Sequence, residues 1–526
     1  MSLIRSIATV GSMTLISRIL GFVRDVCVAW ALGAGWMADV FFVAFKLPNL
    51  FRRLFAEGAF NLAFVPMFAG KLETDPEQDV RRFAAEAQSG LLVLLLLFTI
   101  IVELAMPWVV MAIAPGFVDE PQKYALAVEL VRITFPYLIF ISMVSLLGGI
   151  LNSLGKFWAA AASPILMNIC MIAAVFGLVP ILQTPAHALS WGVAAAGIVQ
   201  LAWMMYHTAR INWLPRLVRP RLTEDVKLLL KRIAPVAVGA GIYQISLLID
   251  TIIASLLASG SISYLFYADR LVQLPLGVVG IAVGTALLPM LARQIKSGDD
   301  QAALKSQNRA LEFALFLTLP AAAALIVIPD TLIGTLFQRG EFSADATHKT
   351  AQALMVFAMG LPAFVLVKAL SPGFFARDDM STPIKIGGFC VCVNIAIALS
   401  LMGPMAHVGL AVATVVSQWL NAILLTVVLI RRKHFHFDAR LRQRAPRIVM
   451  ASVIMGLIIL ALQAELKPQL SGSLVDQVGA LALIVFGGMV VYGLAAQMFG
   501  AASLREVKTA LRRQPPQDVQ DETNVS

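Results

Sequence analysis

Arg18, Arg24, Asp25, Asp39 and Lys46 stand inside segments otherwise apolar enough to cross a bilayer. Each such charge costs roughly 2.5–3.5 kcal/mol at the centre of a membrane helix. A chain keeps that cost where the charge faces a protein interior or a watery cavity, which makes these residues candidate functional groups. Arg18 and Asp25 are seven residues apart and share a helical face, and Gly21 between them permits a bend toward Arg24. Asp39, Lys46 and Arg53 recur every seven residues as a second stripe, and Pro48 breaks the helix that carries them. Asp269-Arg270 sits just before Leu274-Pro275, so charge recurs beside a similar break later in the chain. Two chemistries fit. One is internal ion pairing, Arg24 with Asp25 or Asp39 and Arg270 with Asp269 or Asp250. The other is an anion site, where several guanidinium forks grip a phosphate or diphosphate bidentately. Arg53 reads as an interfacial, snorkelling cation.

Other groups carry less. Asp250, Asn394 and Thr414 lie in three further apolar spans and offer oxygens that a Na⁺ ion or a structural hydrogen bond could use. Glu103 and Glu129 read as interfacial, and His434 and His436 as solvated members of a basic loop. Cys27, Cys170, Cys390 and Cys392 have no metal-ligand spacing and read as small buried hydrophobes. No Gly-rich phosphate loop, nucleophile elbow or zinc-type motif occurs, so neither an enzyme nor an ATP-driven pump is expected.

The elements that must position these charges are membrane helices. The 526 residues are 59% hydrophobic and only 14% charged, against about 25% charged in soluble domains. Runs of about 20 apolar residues predict an all-α polytopic membrane protein with about 14 spans. They fall near 8–32, 36–56, 83–113, 125–151, 159–180, 188–209, 233–258, 263–291, 311–337, 351–375, 384–403, 408–430, 447–464 and 478–500. Arg5 and the apolar run after it resemble a signal peptide, but Arg18, Arg24 and Asp25 interrupt that run, so an uncleaved first helix is expected. Most of the 41 lysines and arginines fall in alternate loops, while the opposite loops hold only Lys123, Arg339, Lys349 and Lys467. The positive-inside rule then places both termini in the cytoplasm, and it accounts for the net charge of +10 without a nucleic-acid partner.

The chain also repeats. Ile16-Ser17 returns as Ile245-Ser246, Leu47-Pro48 as Leu274-Pro275, and Val65-Pro66-Met67-Phe68-Ala69 as Leu288-Pro289-Met290-Leu291-Ala292. Six helices per repeat is an even number, so the repeats are parallel and a transporter with two lobes is expected. The divisions are residues 1–220 and 221–440 for the two six-helix lobes, 441–504 for two additional helices, and 505–526 for a polar cytoplasmic tail.

Four stretches then carry a resemblance: SRILGFVRD (17–25), ADVFFVAFKLPNLFRRLFAEGAFNLAFVP (38–66), YADRLVQLPLGVVGIAVGTALLP (267–289) and PGFFARDDMSTPIKI (372–386). They are similar to the MurJ/MviN family of lipid II flippases, within the multidrug/oligosaccharidyl-lipid/polysaccharide exporter superfamily. The resemblance implies movement of undecaprenyl-diphosphate-linked peptidoglycan precursor across the bacterial inner membrane by alternating access. It implies lipid II and membrane lipid as partners, with the cell-wall synthesis machinery beside them. It also implies a cavity set of Arg18, Arg24, Arg52 and Arg270 with Asp39 as acidic partner; Asp25, Lys46 and Glu57 complete the candidate substrate-binding residues. Na⁺ is the one candidate ion, on Asp250, Asn394 and Thr414, with Ala398 standing where the resemblance leads one to expect an acid. The membrane potential is the favoured driving force. An exporter of another polyprenyl-linked oligosaccharide, or a drug/cation antiporter of the same fold, is the alternative.

Overall fold

The computed structural model describes the backbone of residues 3–53 and 60–501, and their side chains except at 3–8, 234–247, 278 and 281–286. The described residues form eighteen α-helices. These are α1 (Leu3–Leu32), α2 (Trp36–Phe51), α3 (Phe60–Thr74), α4 (Glu77–Leu104), α5 (Met106–Ile113), α6 (Pro121–Thr134), α7 (Tyr137–Ser153), α8 (Phe157–Gly177) and α9 (Pro185–Arg210). They continue as α10 (Glu224–Ser255), α11 (Ser261–Lys296), α12 (Asp300–Val327), α13 (Pro329–Phe337), α14 (Ala344–Phe375), α15 (Ser381–Arg431), α16 (Ala439–Glu465), α17 (Lys467–Leu470) and α18 (Leu474–Met498). Nine spans among the described residues are long and apolar enough to cross a membrane by length and composition.

Several predicted spans are built from two helices. The third breaks at Ala105 between α4 and α5, and the fourth at Phe135-Pro136 between α6 and α7. The eleventh and twelfth run together as α15, with one break at Ala406, whose φ of 46° and ψ of −131° lie outside the helical region. One helix was not expected. Residues 60–74 read as loop, yet they form α3 around Pro66. Phe60, Phe64 and Phe68 recur every fourth residue and stack ring on ring on its buried face.

Contacts divide the chain into two compact units. The first holds Met1–Tyr267, Leu336–Thr350 and Ile395–Leu410. Within it α8 packs between α1 and α9, α2 lies on α6, and α7 on α9. Small residues set the closest approaches: a Cβ at Gly192 of α9 would sit 2.6 Å from the Ala174 methyl of α8. Residues 221–267 fall in this unit because α10 packs on α3, α4 and α5, so the unit extends past the repeat boundary at 220.

The second unit holds Ala268–Thr335, Ala351–Asn394 and Ala411–Ser526. Here the two helices beyond the repeat, α16 and α18, pack on each other and on α12. A Cβ at Gly488 of α18 would meet Ile459 Cδ1 of α16 at 2.8 Å, and Tyr492 donates to the Phe316 carbonyl at 2.6 Å. Asp379, in the turn before α15, accepts from the Thr382 amide at 3.0 Å and pairs with Arg432. Hydrogen bonds from Thr382 and Arg432 hold its carboxyl at about 2, so it stays ionised at physiological pH.

One charge cluster fastens α16 to α12. Glu312 is buried and accepts from Arg309, from Arg440 Nε at 3.2 Å and from Arg444 Nη1 at 2.6 Å, while Arg309 also pairs with Asp438. Removing the carboxylate leaves three guanidinium groups without their common partner. Breaking a buried pair costs about 3 kcal/mol or more, less the share that half-exposed Arg440 regains from water. Glu312→Ala should therefore lower the thermal unfolding temperature in detergent by several degrees more than Arg440→Ala does. Equal midpoints for wild type and Glu312→Ala would remove the cluster as an anchor.

Candidate membrane-embedded anion site

The first sequence motif folds around Arg24. Both Arg24 and Asp25 are buried, at 8% and 4% exposure, on an apolar helix. The Arg24 guanidinium donates to Asp25 Oδ1 from Nε at 3.1 Å and from Nη2 at 2.7 Å. Its Nη1 donates to Asn168 Oδ1 of α8 at 3.0 Å. Asn168 in turn donates to the Ser17 carbonyl at 2.9 Å, which orients its amide and clamps α8 to α1. Three of the five guanidinium donors are thus committed. Among the described residues the others take no further hydrogen bond. Arg24 is a held fork with donor capacity to spare, as anion recognition requires.

Of the two pairings weighed for Arg24, the structure contains the one with Asp25. Asp39 is occupied elsewhere. Its Oδ2 accepts from the Gly260 amide at 2.6 Å, and its Oδ1 from the Ser263 amide at 2.8 Å and the Ser263 hydroxyl at 2.6 Å. These donors cluster at the start of α11, so a carboxylate on α2 caps the N-terminus of a helix far along the chain. Gly260 is needed there: its φ is +97°, and a Cβ would lie 2.6 Å from the Tyr264 hydroxyl oxygen. Neighbouring contacts strengthen the latch. Lys123 Nζ donates to Ser259 Oγ at 2.8 Å and pairs with Glu120 at 3.2 Å, and Tyr267 donates to the Gly33 carbonyl at 3.2 Å.

The other candidates stand apart from these two centres. Arg18 is exposed, although it shares a stripe with buried Asp25. Lys46 and Arg52 are half-buried, with Arg52 Nε on Asn49 Oδ1 at 3.0 Å, and Arg53 is exposed, so the seven-residue stripe on α2 passes from interior to surface. Glu57 lies outside the described residues. Asp250, half-buried on α10, belongs to the first unit. In the second unit Arg270 is half-buried on α11, and its neighbour Asp269 accepts from Gln273 at 3.3 Å. Asn394 is buried and Thr414 half-buried on α15. These are oxygen donors of the kind Na⁺ takes. Ala398, 1% exposed, adds no oxygen to them. No cluster of three or more His, Cys, Asp or Glu side chains suited to a metal occurs among the described residues. Of the cysteines only Cys390 is buried, and Cys392 is exposed two residues on, as opposed helical faces require.

Sequence reasoning missed three residues. Asn168 had the signal of a lone amide in an apolar span. Lys123, taken for an outer-loop cation, is 2% exposed. Lys368 of α14 packs on Gly280 of α11, where a Cβ would meet its Nζ at 2.9 Å.

Proline-interrupted apolar helices with charges held inside the spans are features that membrane transporters share. A multidrug-resistance MATE family transporter in its inward-facing conformation shares the fold, with a TM-score of 0.67 over 81% of this chain and 97% of that one, at 13% identity. A lipid II flippase MurJ in an inward closed conformation matches with a TM-score of 0.76 over 95% of this chain and 99% of that one, at 24% identity.

The chain belongs to the lipid II flippase MurJ family, whose model matches residues 28–477. Similar relatives include a probable lipid II flippase MurJ of Rhizobium tropici, 45% identical over the full length of both chains. Another, of Rhizobium meliloti strain 1021, is 46% identical over 98% of this chain and 97% of its own. The lipid II flippase MurJ of Burkholderia cenocepacia is 36% identical over 82% of this chain and 84% of its own.

Proposed function

We propose that this protein moves undecaprenyl-diphosphate-linked peptidoglycan precursor from the cytoplasmic to the periplasmic leaflet of the bacterial inner membrane by alternating access, making and breaking no covalent bond. Arg24 carries the reading: a buried guanidinium, oriented from two sides and with donors to spare, is a poor host for a cationic drug and a good one for a diphosphate. Arg18, Arg52, Arg270 and Lys46 supply further positive charge. The Asp39 latch holds one end of the first unit in the conformation described, and its release accompanies opening toward the periplasm. The delivered precursor is then at the disposal of the polymerising machinery outside.

The positive-inside distribution supports cytoplasmic termini. A cysteine at exposed Ala439 should therefore resist an impermeant thiol reagent in intact spheroplasts, and one at exposed Ser343 should react. The reverse pattern would invert the orientation.

The functional test is reconstitution in proteoliposomes, following fluorescent lipid II and a polyprenyl-diphosphate oligosaccharide of different sugar composition side by side. Lipid II should cross and the second lipid should not. We favour the membrane potential as driver, because returning a cationic empty carrier inward gains about 2.3 kcal/mol per charge per 100 mV. Collapsing the potential should slow net transport, whereas replacing Na⁺ by choline should change it little. A strict Na⁺ requirement, lost in Asp250→Asn, would transfer the coupling to Asp250, Asn394 and Thr414.

A further inference from the structure

A second set of charged groups lies away from the arginine site, in a groove of about 710 Å³ between α6 and α9 in the first unit. Its wall is largely apolar, including Phe140 and Ile198, and also carries Glu129, Arg132 and His187. The two helices run inward side by side from their N-termini. Across them His187 Nε2 lies 3.2 Å from Glu129 Oε1. His187 is the third residue of α9 and is held by Thr184, whose Oγ1 is 2.8 Å from its Nδ1, so it stands at the start of that helix. Arg132 is one turn deeper than Glu129, about 4.5 Å at 1.5 Å per residue. Trp191, half-exposed, is one turn deeper than His187 and lies at the same level. An exposed indole beside an arginine at that depth marks the interfacial belt, where lipid headgroups and glycerol lie.

The order of the charges selects the ligand. Arg132 is exposed in the groove and makes no hydrogen bond or ion pair among the described residues, although Glu103 is near enough to feel its charge. Glu129 is above it, nearer the water, with its side chain 59% exposed. A cation at the phosphate level with a carboxylate farther out matches a lipid whose phosphate lies inward and whose ammonium lies outward. Glu103 and Glu129 outnumber Arg132 around this groove, which disfavours anionic lipids. We propose that this groove is a binding site for one zwitterionic aminophospholipid, phosphatidylethanolamine. Its phosphate is held by Arg132, its ammonium by Glu129, and an acyl chain lies along Phe140 and Ile198. The groove contains none of the residues proposed above for transport, and its assignment to the outer leaflet rests on the orientation proposed above.

The test is native mass spectrometry of the full-length protein, released from nanodiscs of equimolar phosphatidylethanolamine, phosphatidylglycerol and phosphatidylcholine of matched chains. Retention of one phosphatidylethanolamine in preference to both others is expected. Arg132→Ala should cut that retention about tenfold, the value of one charge-assisted contact. Glu129→Gln should abolish the preference over phosphatidylcholine, whose quaternary ammonium donates no hydrogen bond. Ala194→Phe, which fills the groove without altering its charges, is the second variant and should also lose the lipid. Lipid II transport by Arg132→Ala in liposomes of phosphatidylcholine and phosphatidylglycerol should match wild type, so loss of the site and loss of the flippase function are read separately. Equal retention of the three lipids, preference for phosphatidylglycerol, or retention unchanged in all three variants would overturn the proposal.

Discussion

Arg24→Ala should abolish lipid II transport at wild-type membrane abundance, and Arg24→Lys should restore only a small part of it. This is the largest effect expected of any single substitution. The alanine removes three hydrogen bonds and strands Asp25 at 4% exposure, so a loss of stability of about 3 kcal/mol or more accompanies it. The stability and transport effects separate in the double variant Arg24→Ala/Asp25→Ala. That chain has no uncompensated buried charge and should regain thermal stability. It still lacks the guanidinium, so it should remain inactive. Lysine keeps a charge but offers a point where a planar fork is required, and it cannot satisfy Asp25, Asn168 and a diphosphate together. Asn168→Ala leaves the charge and removes its orientation, so partial activity is expected, with Arg53→Ala as the unaffected control. Full growth of a depleted strain on the double variant would reduce Arg24 to a structural partner of Asp25.

Asp39→Ala is expected to be nearly as damaging, for a different reason. It deprives the Gly260 amide, the Ser263 amide and the Ser263 hydroxyl of their common acceptor at the start of α11. Each buried donor left unmet costs about 1–3 kcal/mol. The loss falls on one conformation only, the one in which α2 and α11 are latched, so the population shifts toward the unlatched state. Transport should fall by more than tenfold while the protein remains folded. A cysteine at Ser259, beside the latch, should gain reactivity toward a thiol reagent. Ser263→Ala removes only the hydroxyl and should be mild. If Asp39→Ala left both transport and Ser259 labelling unchanged, the latch would have no part in the cycle.

The helices were legible because membrane spans need a length and an apolarity that few other structures share. The family was legible because the Ala38–Pro66 block is long and specific. The missed helix α3 is instructive. Its Phe60, Phe64 and Phe68 are flanked by charge, and Pro66 reads as a breaker. Yet the repeat pairs Val65–Ala69 with Leu288–Ala292, at the end of a predicted span, so the repeat already pointed to helix where hydropathy did not. Arg18 shows the limit of helical spacing: seven residues align it with Asp25, but only neighbouring helices decide where a stripe leaves the interior. Lys123 and Asn168 owe their roles to partners 136 and 144 residues away, and no local pattern encodes such contacts.

The partner of Arg24 is its own neighbour in the chain, and this has an electrical consequence. A pair formed by adjacent residues of one helix travels as a dipole of zero net charge, whichever way that helix moves. The transmembrane field does no net work in translating it. Transient currents recorded when the empty protein reorients should therefore carry no contribution from the Arg24–Asp25 pair. Arg24, the arginine held most firmly for substrate, should be electrically silent until a diphosphate joins it.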